Sequence, residues 1–251
     1  MTEAHFTAHQ VNPNRHFELW HADLEAASRA LEVLERQTPC LSQEQIERAA
    51  ALAARPTDQQ NWRAAHIALK VLIARWGGLD LARAPYTFSS MGRPAIKGAP
   101  FSFSLSHSGG HALIGLTAHG PIGVDLEVPR HVKIADDRRR QIEAHGQSLL
   151  PEVVLSTDPD GRFLQAWVRI EAVAKAEGIG VGRALTNAGI MGDRGSRPAS
   201  AAHRTFDVRD LDAGDHVFAA VAAPKLPAIL GLKALPCTES GLQALVKHDW
   251  G

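Results

Sequence analysis

Apolar and polar positions alternate along Phe17-Glu-Leu-Trp20, the period of a half-buried strand, and the first element is expected there. Spacings of three and four then take over. Leu24 to Gln37 reads as a helix, and Leu41-Ser-Gln-Glu-Gln-Ile-Glu-Arg48 opens a second. A stronger helical signal follows, with Trp62, Ala65, Leu69, Leu72, Ile73 and Trp76 on one stripe and Gly77-Gly78 closing the run. Thr57 and Gln60 have the spacing of a capping box at its start. Arg63, Lys70 and Arg75 fall on its polar side.

Between 101 and 128 the period changes to two. Phe101, Phe103 and Leu105 alternate with serines, Ser108-Gly109-Gly110 forms a turn, and His111 to Ala118 forms a second strand. After His119-Gly120-Pro121, Ile122-Gly-Val-Asp-Leu-Glu-Val128 reads as the third strand of an antiparallel meander. Residues 131–145 read as a polar helix with Asp136-Asp-Arg-Arg-Arg140 on its solvated face, and 162–177 as another helix that stops at Gly178. A stretch rich in Gly, Ser, Arg and Pro covers 192–202. Thr205–Val208 and His216–Ala222 then suggest a hairpin about Ala213-Gly214-Asp215, and the last twenty residues carry weak signals. Strands and helices come in runs, so the expected class is α+β.

Composition removes alternatives rather than adding any. The 251 residues suffice for one domain or two small ones, and 27 Lys plus Arg balance 27 Asp plus Glu. Bulk charge therefore points to neither nucleic acid nor membrane as partner, and any anion site must be local. Cys40 and Cys237 stand far apart, in no metal or disulfide spacing, as thiols of a reducing compartment would. The N-terminal residues lack an apolar core of signal-peptide length, and no apolar run reaches the roughly 18 residues of a membrane span. A cytoplasmic protein is expected.

The chemistry gathers on two elements. Asp125 and Glu127 share one face of a strand, where their repulsion does nothing for folding. Glu171 and Lys175 lie in the direction of Trp167 and Val168, inside the apolar stripe of their helix; a solvated i,i+4 pair would stand opposite it. An inward carboxylate requires a counter-charge, a metal or a raised pKa. Three carboxylates without a histidine or thiol ligand suit a hard divalent cation, Mg²⁺ or Mn²⁺, and Mg²⁺ keeps positions open for phosphate oxygens. Ser106 and His107, ahead of the Gly-Gly turn, offer hydroxyl, imidazole and backbone N–H groups to a phosphate, and Arg93 adds a cation on the Met91-Gly-Arg-Pro94 turn. The G-x-S-x-G elbow of hydrolases is absent, and Gly178-Ile-Gly-Val-Gly182 follows a helix instead of the strand a dinucleotide loop needs.

Four segments, in order, resemble the Sfp-type 4′-phosphopantetheinyl transferases. Gly92-Arg-Pro94 stands for the usual Gly-Lys-Pro, and Phe103-Ser-Leu-Ser-His-Ser108 for F-N-L-S-H-S. Ile122-Gly-Val-Asp-Leu-Glu127 is similar to G-[IV]-D-[IL]-E, and Trp167 to Gly178 resembles W-[ST]-x-K-E-[AS]-x-x-K-x-x-G. The similarity extends loosely from about residue 17 to 224. It implies a monomer of two similar α+β halves, 1–121 and 122–251, with the active site in the cleft between them. It implies transfer of the phosphopantetheine arm of coenzyme A to a serine of an acyl or peptidyl carrier protein, with release of 3′,5′-ADP. On this resemblance Asp125, Glu127 and Glu171 hold Mg²⁺ on the pyrophosphate, Glu171 also serves as base, and Lys175 neutralises phosphate charge. Ser106 and His107 meet the nucleotide end, with Arg93 helping.

Three positions depart from the family pattern. Ile170 replaces a lysine, Ser104 replaces an asparagine, and Asn61 stands where an arginine for the 3′-phosphate is usual, with Arg63 or His66 as substitutes. These departures keep open a catalytically impaired homologue that binds coenzyme A or carrier, and the carboxylates alone would also suit a metal-dependent phosphohydrolase. The carrier is expected near 131–150, where the arginines at 138–140 could meet an acidic partner or simply be solvated.

Overall fold

The computed structural model describes residues 16–191, 205–215 and 217–247. The first fifteen residues, the whole of the 192–202 stretch with the two residues after it, His216 and the last four residues lie outside them. The first run of elements is β1 (Phe17–Asp23), α1 (Leu24–Gln37), α2 (Gln43–Ala50), α3 (Pro56–Gly77), α4 (Leu79–Arg83), β2 (Tyr86–Phe88), β3 (Pro94–Ile96), β4 (Ser102–Ser108) and β5 (His111–Thr117). The second is β6 (Gly123–Glu127), α5 (Asp136–Leu149), α6 (Pro159–Glu177), α7 (Val181–Asn187), β7 (Asp207–Asp210), β8 (Phe218–Ala223), β9 (Leu232–Ala234) and α8 (Glu239–Lys247). The class is α+β, as the runs of strands and helices suggest.

The two runs follow one plan. In each, a strand leads into helices and then a hairpin, and the first strand pairs antiparallel with the second strand of that hairpin: β1 with β5, and β6 with β8. The resulting sheets are β4-β5-β1-β9 and β6-β8-β7, with β2 and β3 as a separate two-stranded ribbon. The meander expected over 101–128 is therefore corrected. β4 and β5 form its hairpin, but β6 leaves for the second sheet, because alternation fixes which face a strand buries and not which neighbour it pairs with.

Alternation along each strand divides the core into layers. Trp20, Ala22, Ile114 and Leu116 turn toward α1 and α3, whereas Leu19 and Leu113 turn toward Ile122, Val124 and Leu126 of β6. The two sheets thus pack on each other by one face. Behind the second sheet, Val168, Ala172 and Ala176 of α6 pack on Val208, Ala220 and Ala222. This packing depends on small residues, so the helix lies close to the strands.

Local signals set most helix ends. Asp23 accepts from Ala26 N, Ser42 and Gln45 form a capping box at α2, and Asp158 accepts from Gly161 N at α6. Gly178, in the left-handed region at φ 77°, ends α6. The capping box expected at Thr57 does not form. α3 starts at Pro56, and Gln60 instead donates to Ser28 Oγ of α1 at 2.9 Å. Nor is one side of α3 solvated: Lys70 is 2% exposed, Arg63 pairs with Glu32, and Arg75 reaches Glu18.

Two buried charges tie distant segments together. Arg169 is fully buried and holds Asp210 through Nε (2.8 Å) and Nη2 (2.6 Å), while also donating to Gly146 O and Val153 O. It clamps α6 to β7 and to the end of α5. Glu18 accepts from Trp20 Nε1, Trp76 Nε1 and Lys233 Nζ, which fastens β9 along β1. The weak signals of the last twenty residues thus resolve into a short parallel edge strand and a helix packed on α1 and α3.

Candidate active site

β4 and β6 run beside each other where the two sheets meet, and three serines of β4 at alternate positions face β6. Ser104 Oγ accepts from Val124 N at 3.1 Å, Ser106 Oγ donates to Asp125 Oδ1 at 2.7 Å, and Ser108 Oγ donates to Glu127 Oε2 at 2.9 Å. The alternation that buries Val124 and Leu126 between the sheets turns Asp125 and Glu127 the other way. There Lys175 of α6 donates to Asp125 Oδ1 at 2.7 Å, and Arg130 donates to Glu127 Oε1 at 3.0 Å. Glu171, one turn before Lys175, is half-buried.

The electrostatics of this cluster are unfavourable to its own charges. Asp125 is 4% exposed, and burial pushes its carboxyl above the usual range although Lys175 and Ser106 pull it down. Glu171 is raised too, by burial first and then by the charges of Asp125 and Glu127, with Lys175 opposing. Asp125 Oδ2 is buried with no hydrogen-bond partner among the described residues. A solvent-excluded carboxylate oxygen left without a partner is expensive. Among the described residues, no three His, Cys, Asp or Glu side chains are placed to hold a metal ion. The groups gathered here are all carboxylates, one with an orphaned oxygen and two with raised pKa values, and oxygen donors are the type that hard divalent cations take.

Beside the cluster opens a cavity of about 770 Å³. His107 and Ser104 of β4 line one wall, and Glu171 and Lys175 line another. Gly92 and Arg93, in the turn between β2 and β3, line a third, with Gly178 and Ile179 beside them. Arg48, Trp62, His66 and Lys70 add cationic and aromatic groups to the lining, with the His66 ring 6.3 Å from that of His107. Arg93 also donates to Ala176 O at 3.1 Å, so it fixes the end of α6 as well as facing the cavity.

The sequence-predicted residues fall into three groups. Glu171, Lys175, His107 and Arg93 line the cavity; Asp125, Glu127 and Ser106 stand directly behind them. Arg63 is placed elsewhere. Glu32 of α1 holds its guanidinium by two bonds of 2.7 and 2.9 Å, and it is His66, one turn on, that lines the cavity. Ile170 is 1% exposed and packs with Val132, Ile142, Phe163, Leu164 and Leu185, so its side chain faces the α5–α6 core. Sequence reasoning missed Arg48 and Trp62 in the cavity lining, and Ser108 as the partner of Glu127. The F-S-F-S-L-S-H-S alternation carried the last of these, once β4 and β6 are set side by side.

His66 supplies a pH-dependent expectation. Its Nδ1 is bonded to Trp62 O at 2.8 Å and its ring stacks on Trp62, and burial draws its pKa down to about 4. The unfolded chain takes up this proton near 6.5 and the folded one only near 4. Its contribution is therefore whole above 6.5 and lost as pH falls toward 4. Denaturant titrations at pH 7 and pH 5 should show wild type losing about 1–2 kcal/mol more than His66→Gln over that interval. Equal losses in the two proteins would show that this imidazole is not held neutral.

Two curated proteins are similar to this chain. One, from Synechocystis, is named for 4′-phosphopantetheinyl transfer and is 32% identical over 139 residues, covering 52% of this chain and 54% of the relative. The other is a 4′-phosphopantetheinyl transferase of Salmonella typhimurium, 30% identical over 118 residues, covering 46% of this chain and 59% of the relative. The chain thus spans little more than half the length of these relatives. No protein-family profile matches it. The two similarities support a relationship to the 4′-phosphopantetheinyl transferase superfamily.

Proposed function

We propose that the protein is a Mg²⁺-dependent 4′-phosphopantetheinyl transferase of the Sfp type. It would move the phosphopantetheine arm of coenzyme A to a serine of an acyl or peptidyl carrier protein and release 3′,5′-ADP. The observation that carries this reading is the pairing of buried Asp125 with part-exposed Lys175, with Glu171 one turn before it on α6, where the two sheets meet and beside a cavity of about 770 Å³. That volume lies in the range of ligand sites, roughly 300–1,000 Å³.

Asp125, Glu127 and Glu171 would hold Mg²⁺. The ion would neutralise charge on the pyrophosphate, which is what phosphoryl transfer chiefly asks of a protein. The carrier serine oxygen bonds to the phosphorus that bears pantetheine, and the bond from that phosphorus to the bridging oxygen breaks, with 3′,5′-ADP leaving. The serine proton passes to Glu171, directly or through water, a carboxylate that lines the cavity beside Lys175. Lys175 turns to phosphate oxygens, His107 holds the nucleotide end with Arg93 adding charge there, and Ser106, expected at the nucleotide, instead orients Asp125 through its hydroxyl. The halves, 1–121 and 122–251, would flank the cleft in a cytoplasmic monomer. The described residues contain no helix long and apolar enough to cross a membrane.

Incubation with Mg²⁺, coenzyme A and a panel of apo carrier proteins should raise the mass of at least one carrier by a single phosphopantetheine group. Tight binding of coenzyme A or carrier with no mass gain would favour the impaired homologue; with Ile170 in the core, that reading rests on Asn61. Release of inorganic phosphate without any carrier would favour a phosphohydrolase and overturn the proposal.

A further inference from the structure

A second cavity, of about 310 Å³, lies between α1, α3 and α8. Its walls are hydrocarbon, from Leu34, Ile67, Val71, Ala74, Leu79 and Val246. Most of its polar groups are already engaged. Glu35 accepts from Cys40 N and Leu41 N at 3.0–3.1 Å, the Cys40 thiol donates to Thr38 O, and Gln243 donates to Gln37 at the rim. Lys70 is different. It lines this cavity and the candidate active site alike, and is 2% exposed. It makes no hydrogen bond or ion pair with the described residues; its Nζ lies 4.3 Å from the centre of the Tyr86 ring. Burial draws its pKa down to about 8, with Cys40 and Glu35 opposing, so the amine stays mostly protonated at neutral pH. The ammonium thus has the Tyr86 ring and, unbonded, the charge of Glu35 near it, but no anion bonded to it among the described residues.

We infer that this second cavity binds a small amphipathic anion, a medium-chain aliphatic carboxylate, with its chain among Leu34, Ile67, Val71 and Val246 and its carboxylate on the Lys70 ammonium. The chemistry is that of one charge at the end of a hydrocarbon slot. The volume is at the lower end of ligand pockets, about 300 Å³. The inference does not depend on the transferase reading, since none of the proposed catalytic groups lines this cavity.

Sodium octanoate and 1-octanol, compared by isothermal titration calorimetry and thermal shift on the full chain, test it. Octanoate should bind saturably and raise the melting temperature, and octanol, with the same chain and no charge, should bind at least tenfold more weakly. Val246→Trp, which fills the cavity from α8, should weaken octanoate at least tenfold. Lys70→Met should erase the preference for octanoate over octanol. If Lys70→Met does not fold, the wild-type comparison and Val246→Trp decide alone. No saturable octanoate binding, equal affinity for octanol, or unchanged binding in Val246→Trp would each overturn the inference.

Discussion

Asp125→Asn should reduce carrier modification by at least about 10²–10³-fold, the usual effect of removing one preorganised charge from a phosphoryl-transfer site. The same substitution should leave stability unchanged or raise it by about 1 kcal/mol. The amide keeps the shape of the side chain and an oxygen for Ser106, and it removes a buried negative charge whose Oδ2 has no partner. Lys175, 30% exposed in its side chain, keeps enough water that losing its partner costs little. Linkage makes the stability arm pH-dependent. A carboxyl raised in the folded state destabilises at neutral pH, and that penalty fades as pH falls through its folded pKa. The gain of Asp125→Asn over wild type should therefore be full at neutral pH and shrink as pH falls into the acid range. Falling activity with rising melting temperature is the mark of a group kept for function at the expense of stability. Unaltered carrier modification by this variant would remove Asp125 from the reaction and with it the proposed site.

How far the sequence could be read follows from what each residue depends on. α1 is bounded at Leu24 and Gln37 by its own periodicity, and the end of α6 by one glycine in the left-handed region, both local causes. The misread features depend on partners far along the chain. Thr57 and Gln60 have capping-box spacing, but Ser28 competes for Gln60 from 32 residues away. Arg63 looks available on its helix until Glu32, 31 residues earlier, takes it. Lys70 sits on the polar side of a helical wheel, yet α3 is covered on that side as well, so the wheel predicts an orientation and not a solvent. β6 reads as a third strand of a meander because its turn is short, although its ladder is with β8, about a hundred residues on.

The candidate site was legible for a related reason. Asp125 and Glu127 share a face by strand geometry alone, and Glu171 and Lys175 share a helix direction by spacing alone. Each pair is strange within its own element, so no distant partner was needed to notice it. What the sequence could not supply was the join between them. The three serines of β4 and the close contact of α6 with β6 become visible only when both sheets are in place.

Gly123→Ala tests that join, and a loss of about 3 kcal/mol or more is expected, together with at least a tenfold fall in carrier modification at temperatures where the variant remains folded. The reason is space, not backbone conformation, since Gly123 has no positive φ. A Cβ at this position would stand 1.9 Å from Ala172 O and 2.5 Å from Ala176 N, both backbone atoms of α6. Neither can rotate away, so the helix would have to move off the strand. The same helix carries Glu171 and Lys175, and the 2.7 Å bond from Lys175 to Asp125 spans the gap that would widen. The small-residue contact of Ala172 and Ala176 with Ala220 and Ala222 would loosen with it. For a chain of this length the melting temperature should fall by roughly 6–12 °C. Gly182→Ala in α7, where an added Cβ meets nothing within 4 Å, is the matched control and should be neutral or stabilising by up to about 1 kcal/mol. If Gly123→Ala melts with wild type and transfers at the same rate, close approach of α6 to β6 is not what sets Lys175 on Asp125, and the site is held together by something other than this glycine.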